Sequence, residues 1–173
     1  QGSAMVMTQQ IRLASKADLP RLVEIFNETV DDKIAHASLV PHTVEGRIAW
    51  FDSHNDATRP IYVVVDEGEI VAWASFSDLY HLPAYHITAE ISLYITKDRH
   101  GKGLGKYLLQ HMLDVAPSHG INNVVALIFQ HNLPSLSLFA QFDFVQWGVL
   151  PQVCDMDGFL ADTVIMGRRL PKN

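Results

Sequence analysis

Three glycines at alternate positions, Gly101, Gly103 and Gly105, stand between an apolar strand pattern and a helical pattern. Glycine permits positive φ angles and leaves no Cβ atom on the surface, so successive backbone N–H groups can point at one place. The following helix adds unpaired N–H groups and the positive end of its dipole. The turn is therefore suited to hold a phosphate or pyrophosphate, although a glycine-rich turn without a ligand has the same composition.

Two common nucleotide-binding patterns do not fit this turn. A Walker loop needs a glycine five residues before the Gly-Lys pair and a Ser or Thr after it, but His100 and Tyr107 flank Gly105 and Lys106 at those positions. The dinucleotide fingerprint needs a glycine or alanine three residues after its second glycine, and Lys106 or Leu108 stands there. The sequence therefore disfavours both a Walker-type nucleotide site and a dinucleotide site at this turn.

Glu90 is the best candidate for acid–base chemistry. It lies on the polar side of a strand with alternating apolar and polar residues, shortly before the glycine turn. A carboxylate in this position can accept a proton from a reacting group. On a solvated face, the same side chain would instead pair with Arg or Lys.

The glycine turn resembles the coenzyme A pyrophosphate loop of the GNAT superfamily of N-acetyltransferases. That loop has Arg or Gln, two residues, Gly, one residue, then Gly or Ala; His100, Gly103 and Gly105 occupy these positions, and His100 departs from the usual type. Residues 132–139 resemble the later family segment Asn-x-x-Ser/Ala-x-x-Leu-Tyr/His, which borders the pantetheine and the leaving thiol. The resemblance implies a GNAT-type α/β (α+β) fold and acetyl-CoA as co-substrate.

A narrower resemblance, to the phosphinothricin and methionine sulfoximine acetyltransferases, runs from about Ile11 to Leu170. Members of this branch are cytoplasmic homodimers that acetylate the α-amino group of small amino-acid analogues, so the resemblance implies the same properties here. The matching segments are Phe26–Val30, Arg47–Phe51, Trp73–Ser75, Ala84–Tyr85 and Thr88–Tyr94.

Several positions depart from this branch. Tyr80 and Leu82 stand where the branch often has Arg, and Asp143 replaces a glycine. Residues 156–162 keep the Gly and Asp of the branch motif but lose its Lys and Trp. Phe139 replaces His or Tyr, so it cannot protonate the leaving thiolate; Ser137, a water or no group at all substitutes for it.

The resemblance also implies roles for individual residues. Glu90 is expected to take the proton of the acceptor amine, directly or through water. Backbone groups of Leu93 and Ile95 are expected to bind the pantetheine and the thioester oxygen, because the family strand splays there. The residues expected to bind acetyl-CoA are Leu93, Tyr94, Ile95, His100, Gly101, Lys102, Gly103, Leu104, Gly105, Lys106, Asn132, Ser135 and Leu138. The acceptor pocket is expected to include Glu28, Trp50, Ser77, Asp78 and Thr88.

Periodicity predicts the elements that must position these residues. The order is β-α-α-β-β-β-α-β-α-β-β, giving a mixed, mostly antiparallel sheet with helices on both faces. The first helix is expected to extend to about Val30, the second to turn Val44, Ile48 and Phe51 inward, and the last two strands to cover 144–149 and 163–166. Residues 7–173 are expected to form one domain, after a tag remnant at 1–6.

Composition limits the functional classes. The chain has 173 residues, 48% of them hydrophobic, and a formal charge of −6 without a basic run, which suits one globular domain and disfavours nonspecific nucleic-acid binding. No apolar stretch approaches the roughly 20 residues that span a bilayer. The nine histidines fit no common metal-site spacing, so we expect no metal. The single cysteine, Cys154, excludes an internal disulfide and fits a reducing compartment.

The sequence therefore predicts an N-acetyltransferase that moves acetyl from acetyl-CoA to the primary amine of a small amino-acid-like acceptor, of the phosphinothricin or methionine sulfoximine type. We expect direct transfer in a ternary complex. A polyamine, an aminoglycoside or a protein N-terminus is the alternative acceptor. A catalytically inactive acyl-CoA-binding module is the alternative outside this class.

Overall fold

The computed structural model describes residues 9–171, so the expected tag remnant lies outside the described residues. A seven-stranded sheet has the strand order β1-β2-β3-β4-β5-β7-β6. The strands are β1 (Gln9–Leu13), β2 (Ile61–Asp66), β3 (Glu69–Asp78), β4 (Thr88–Ile95), β5 (Asn123–Phe129), β6 (Val145–Asp155) and β7 (Leu160–Arg169). The helices are α1 (Leu19–Asn27), α2 (Val44–Asp52), α3 (Leu104–Val115) and α4 (Leu133–Gln141), with short 3₁₀ turns at 16–18, 83–87, 97–99 and 116–119.

The order and types of these elements are those predicted, and the expected mixed sheet is confirmed. β4 and β5 run parallel, and the other neighbouring strands pair antiparallel. The parallel pair follows from α3, which carries the chain from the end of β4 back to the start of β5.

The two last strands are longer than predicted. β6 is an exposed edge strand, and its register on β7 shifts between Gln146 and Gly148 and again between Leu150 and Cys154. The first shift is by one residue and moves side chains to the other face, and the second adds two residues on β6, so the strand has no continuous alternation for a period-two pattern to detect. Pro151 lies inside the second irregularity, where an edge strand tolerates it.

Helix α1 ends at Asn27, three residues before the predicted end. The Asn27 side chain explains the stop, because its Oδ1 accepts from the His42 N–H at 2.8 Å and its Nδ2 donates to the His42 carbonyl at 2.9 Å. Asn27 thus holds both ends of residues 28–42 together. This contact spans fifteen residues, so helical periodicity could not reveal it.

The sheet separates two cores. Helices α3 and α4 cover one face, where Ile91, Leu108 and Met112 are buried together. Helices α1 and α2 cover the other, where Leu22, Ile25 and Trp73 are buried. Since side chains alternate along a strand, β4 directs Leu93 and Ile95 to the first face and Glu90, Ser92 and Tyr94 to the second.

Candidate active site

Strand β4 separates from β5 halfway along its length. The two strands pair at Thr88–Asn123, Ala89–Val124 and Glu90–Val125, and at no later position. We call the gap between residues 91–95 of β4 and 126–129 of β5 the seam.

Two backbone amides of β4 open into the seam. The N–H of Thr96 donates to the Val71 carbonyl at 2.9 Å, which makes this a hydrogen-bonded pair. Such pairs alternate along an antiparallel ladder, so Leu93 and Ile95 direct their N–H and C=O groups away from β3 and towards the seam. These N–H groups are therefore placed to bind a ligand lying between the strands.

The glycine turn lies at the end of the seam. Gly101 and Gly103 have φ angles of 75° and 80°, and Gly103 is the N-cap of α3. Gly105 serves a different purpose, since a Cβ there would lie 3.2 Å from Leu138 Cδ2 and 3.4 Å from Ile95 Cδ1. The first two glycines shape the turn, and the third lets α3 approach β4 and α4 closely.

The side chains around this turn differ in position and in partners. His100 Nε2 donates to the Ile95 carbonyl at 2.9 Å, so the imidazole lies at the mouth of the seam. Lys102 and Lys106 are exposed beside the turn, while Leu104 is buried beneath it. Arg99, the neighbour of His100, forms an ion pair with Asp66 and is engaged elsewhere.

A cavity of about 310 Å³ opens where the seam meets the second face of the sheet. Glu90, Ser92, Leu93 and Tyr94 of β4 line one side of it. Ser135, Leu138 and Phe139 of α4 line the other, and residues 35–37 close over it.

Glu90 has the properties of a general base. Its carboxylate faces this cavity and makes no ion pair or hydrogen bond with any side chain among residues 9–171. Burial raises the pKa of Glu90 above its ordinary value of 4.5, because removal from water disfavours the charged form. A raised pKa makes the carboxylate a stronger base towards an amine. The expected alternative, pairing with Arg or Lys on a solvated face, does not occur in the described chain.

A family model described as the acetyltransferase (GNAT) family matches residues 21–144. The chain belongs to the GNAT acetyltransferase family.

Relatives and solved structures agree with this assignment. YwnH of Bacillus subtilis, provisionally named a phosphinothricin acetyltransferase, is 45% identical over 92% of this chain and 98% of its own. The L-methionine sulfoximine/L-methionine sulfone acetyltransferase of Pseudomonas aeruginosa is 35% identical over 92% of this chain and 94% of its own. A phosphinothricin acetyltransferase from Sinorhizobium meliloti, solved with acetyl-CoA, superposes with a TM-score of 0.88 at 28% identity, over 95% of this chain and 89% of that chain.

The expected fold and activity are thereby confirmed: the protein is an acetyl-CoA-dependent N-acetyltransferase with the GNAT fold. The seam and the glycine turn fit acetyl-CoA, since they offer unpaired amides and a turn free of Cβ atoms where a pantetheine arm and a pyrophosphate need them.

The Asn132 side chain makes two structural hydrogen bonds in this acetyltransferase. Its Oδ1 accepts from the Ser135 N–H at 3.3 Å and caps α4, while its Nδ2 donates to the Ile34 carbonyl at 3.3 Å. Asn132 thus ties residues 31–43 to α4, and its proposed contact with the cofactor remains a prediction.

The residues predicted for the acceptor pocket fall in two places. Ser77 and Asp78 lie opposite Glu90 and Ala89 on β4, close to Thr88, and His54 links Ser77 to Trp50, whereas Glu28 lies at the other end of β4. Glu28 accepts from the Thr96 hydroxyl at 2.7 Å, Ser77 lies 3.0 Å from His54 Nε2, and Thr88 Oγ1 accepts from Asn123 at 3.1 Å. The Asp78 carboxylate pairs with Arg59 at 2.7 Å. Of the five, Trp50 alone lines either of the two cavities on this face. The acceptor roles of all five stay predictions.

A second, smaller cavity of about 50 Å³ adjoins the first, with Ser92 and Tyr94 lining both. Arg47, Trp50 and Trp73 also line it, together with residues of α1 and His42. The sequence pattern assigned no role to Arg47, although it begins the segment Arg47–Phe51 that resembles the phosphinothricin and methionine sulfoximine branch. Its i,i+3 spacing to Trp50 was the available signal, since residues so spaced share one side of a helix.

Helix α2 differs in part from the prediction: Phe51 packs partly buried against the core of the second face, as expected, but Val44 and Ile48 do not. Val44 and Ile48 are 38% and 37% exposed, although the apolar pattern assigned them to the core. Arg47 and Trp50 lie partly buried against the sheet instead. Trp50 packs edge-on against Trp73 with ring centroids 5.4 Å apart, which fixes this orientation.

Residues 31–43 cover the cavity and are held by an aromatic stack. The Phe26 ring lies between His36 and His42, with centroids 3.9 and 4.3 Å away and nearly parallel planes. Together with the Asn27 tether, this stack fixes the covering segment on the second face of the sheet.

His36 lines the main cavity but has no free nitrogen to act as a base. The Thr29 hydroxyl donates to the Phe26 carbonyl at 2.8 Å, so its oxygen accepts from His36 Nε2 at 2.9 Å. His36 Nδ1 accepts from the Ser38 N–H at 3.2 Å. Burial lowers the pKa of His36, which keeps this doubly bonded neutral form. Glu90 is thus the better proton acceptor at the cavity.

Phe139 is 5% exposed and packs edge-on against Phe144, with centroids 4.9 Å apart. Ser137, the hydroxyl suggested as a substitute acid, is exposed and lies 3.3 Å from the Gln141 amide. Ser135 is the α4 hydroxyl that lines the cavity. Ser137 is not among the residues that line this cavity, and its role as a substitute acid stays a prediction.

Within residues 9–171, no group of three His, Cys, Asp or Glu side chains is arranged to hold a metal ion. In the same part of the chain, no helix has the length and apolar character to cross a membrane.

Proposed function

We propose that this acetyltransferase acetylates the primary amine of a small amino-acid-like acceptor, of the phosphinothricin or methionine sulfoximine type, by direct transfer in a ternary complex. The observation that carries the proposal is the unpaired, partly buried Glu90 in a cavity shared with the seam. The names of the relatives support the acceptor class, since those from Pseudomonas aeruginosa and Salmonella typhimurium are L-methionine sulfoximine/L-methionine sulfone acetyltransferases.

Each part of the proposed site has one task. Bound acetyl-CoA supplies the activated acetyl thioester. The glycine turn holds the pyrophosphate, and the N–H groups of Leu93 and Ile95 bind the pantetheine and the thioester oxygen. Glu90 takes the proton that the amine must lose before or during attack, directly or through water. These steps need no metal.

Because of Phe139, a catalytically inactive acyl-CoA-binding module is the alternative function that must be tested. A buried phenyl ring cannot protonate the leaving thiolate. A thiol with a pKa of roughly 8.5, however, leaves without strong acid assistance. We therefore propose an active enzyme in which water or Ser135 assists departure.

The test is acetyl-CoA turnover, followed as free thiol release, with methionine sulfoximine, phosphinothricin, spermidine, an aminoglycoside and a peptide with a free N-terminus. Saturable turnover with the first two alone is expected. A preference for any of the other three would transfer the function to that acceptor. Binding of acetyl-CoA with no turnover on any amine would establish the inactive module.

We also propose a cytoplasmic homodimer that detoxifies amino-acid analogues. Exposed apolar side chains on β6, among them Val145, Trp147 and Val153, support an interface, as do Tyr80 and Leu82. Light scattering is expected to give twice the monomer mass. A monomer at micromolar concentration would contradict the dimer without affecting the activity.

A further inference from the structure

Arg47 has no anionic partner among the described residues. Its Cζ lies 4.6 Å from the centroid of the Trp50 ring, within the wall of the smaller cavity. It forms no ion pair or hydrogen bond with residues 9–171, although a guanidinium has five N–H donors. Burial lowers the pKa of Arg47, because removal from water disfavours the charged form of a half-buried, unpaired guanidinium.

The local structure holds Arg47 in this place. Thr43 caps α2 by accepting from the Gly46 N–H at 3.0 Å, which sets the rotation of the helix from its first turn. Trp50, one turn later, rests on Trp73, whose indole N–H donates to the Leu22 carbonyl at 3.0 Å. The aromatic platform under Arg47 is therefore anchored to α1 and to the sheet.

The surroundings leave Arg47 as the source of positive charge. Burial, with a smaller contribution from the charge of Arg47, lowers the pKa of His42 and of His54, so both stay neutral near pH 7. Burial raises the pKa of Tyr94 to about 12, so its hydroxyl stays protonated.

The neighbouring cations on this side of the sheet are engaged elsewhere, and Lys33 donates to the Asp157 carbonyl at 3.0 Å. Arg59 pairs with Asp78 at 2.7 Å, and Lys97 with Asp32 at 3.5 Å. Tyr80 and Leu82, at the positions where the sequence lacks the expected arginines, are 57% and 61% exposed and carry no charge. Within residues 9–171, Arg47 is thus the cation available to an anion in this cavity.

The two cavities adjoin along β4, where Ser92 and Tyr94 line both. Glu90 and Ser92 are alternate residues on one face of β4, about 7 Å apart along the strand. An amino acid carries its amine and carboxylate on the same carbon. With the amine directed to the Glu90 cavity, the carboxylate falls on the Arg47 side of Ser92.

We propose that Arg47 binds the α-carboxylate of the acceptor and so selects α-amino acids over simple amines. The inference rests on the proposed function, since it assigns one part of the same acceptor. A planar guanidinium matches a carboxylate with two parallel hydrogen bonds, and its position over Trp50 orients it for that contact.

The experiment measures KM and kcat for methionine sulfone and for 3-(methylsulfonyl)propylamine, the same molecule without its carboxylate. Wild type is expected to prefer the amino acid. R47M should raise KM for methionine sulfone by about 10- to 100-fold, the range for losing a charge-assisted hydrogen bond. The KM values for the simple amine and for acetyl-CoA should not change.

Two further variants separate recognition from folding. R47K keeps the charge without the planar fork and should recover part of the loss in KM. R21M removes another half-buried arginine, which donates to the Ile70 carbonyl at 2.9 Å on the far end of α1, and should leave all KM values unchanged. Thermal melting of each variant confirms that it is folded.

The inference fails if R47M impairs both acceptors equally, or if wild type accepts the two equally well. Turnover of neither molecule, nor of any amine in the panel, would overturn the proposed function itself. The two failures are therefore distinguishable.

Discussion

The cofactor side of the cavity is formed mainly by backbone groups, and the acceptor side is formed by side chains. The cofactor side uses backbone N–H groups from one continuous stretch, running from β4 through the glycine turn into α3. The acceptor side uses side chains from α1, residues 31–43, α2 and β4, which are distant in the chain. A site made of backbone depends on local conformation, whereas one made of side chains depends on how separate elements pack. Mutations should therefore affect the two sides in different ways.

The largest expected effect is chemical and belongs to the acceptor side. E90Q keeps the shape of the side chain and removes the proton acceptor, so kcat should fall by about 10²- to 10⁴-fold. The stabilisation of the protein by acetyl-CoA should persist, because the backbone that binds it is unchanged. Steady-state kinetics and thermal melting with acetyl-CoA measure the two quantities. Unchanged turnover at neutral pH would move the role away from Glu90.

The pH profile of wild type gives a second readout of the same residue. Burial raises the pKa of Glu90, so the base is lost at a higher pH than for an exposed carboxylate. As pH falls through that raised pKa, Glu90 becomes protonated and kcat/KM should decline. This acid limb should lie above pH 4.5 and disappear in E90Q. A limb unaltered by the substitution would belong to another group.

The next effect belongs to the cofactor side and needs no change of charge. G103V places a β-branched side chain at φ 80° beside the turn, and most of the rise in melting temperature with acetyl-CoA should be lost. G120V is the matched control, since Gly120 has φ 77° and open space around its Cβ position but lies beyond α3. Both variants should lose stability through strain, by about 1–2 kcal/mol. The cofactor site would be contradicted if acetyl-CoA raised the melting temperatures of G103V and G120V equally. It would also be contradicted if millimolar acetyl-CoA did not raise the melting temperature of wild type.

A smaller effect is expected where the two sides meet. F139Y adds a hydroxyl at the position where the family usually has one, so the folded variant should turn over equally fast or faster. An unpartnered hydroxyl would cost about 1–3 kcal/mol of stability. F144Y adds the same atom to the ring packed against Phe139, away from the cavity lining, and should not raise kcat. A folded F139Y with many-fold lower turnover would show that the apolar ring shapes the site.

The smallest effect lies outside both sides. Asp143 follows α4 with φ 64°, a conformation that glycine adopts without strain. D143G should raise the free energy of unfolding by roughly 0.5 kcal/mol, and D143A should lower it. Urea denaturation measures both, and kinetics should show no change. Lower stability for D143G would mean that the Asp143 carboxylate contributes more than the strain costs.

The same contrast explains what could be predicted from sequence. Strand, turn and helix follow one another within residues 88–115, so the glycine turn and the polar face of β4 were visible as local patterns. Leu93 and Ile95 were expected to open into a splayed strand on the basis of family resemblance, and the hydrogen-bond alternation of β4 gives the same direction. These features could be predicted because the residues that form them are close together in the sequence.

The acceptor side could not be predicted in the same way. Glu28 matched a family segment, but its carboxylate reaches Thr96, 68 residues away. The inward side of α2 is set by Trp50 meeting Trp73, which overrides the apolar pattern of Val44 and Ile48. Within residues 9–171, Arg47 has no anionic partner because of how the separate elements pack. The residue types in the sequence do not reveal this.

The edge strand β6 has a consequence for solubility. An exposed edge offers free N–H and C=O groups to further strands, and its apolar side chains make such addition favourable. Pro151 has no N–H, and the two register shifts divide the ladder into short runs. An incoming strand therefore finds no long, regular row of partners. We expect this edge to permit closed pairing of two copies while resisting the open-ended strand stacking that builds fibrils.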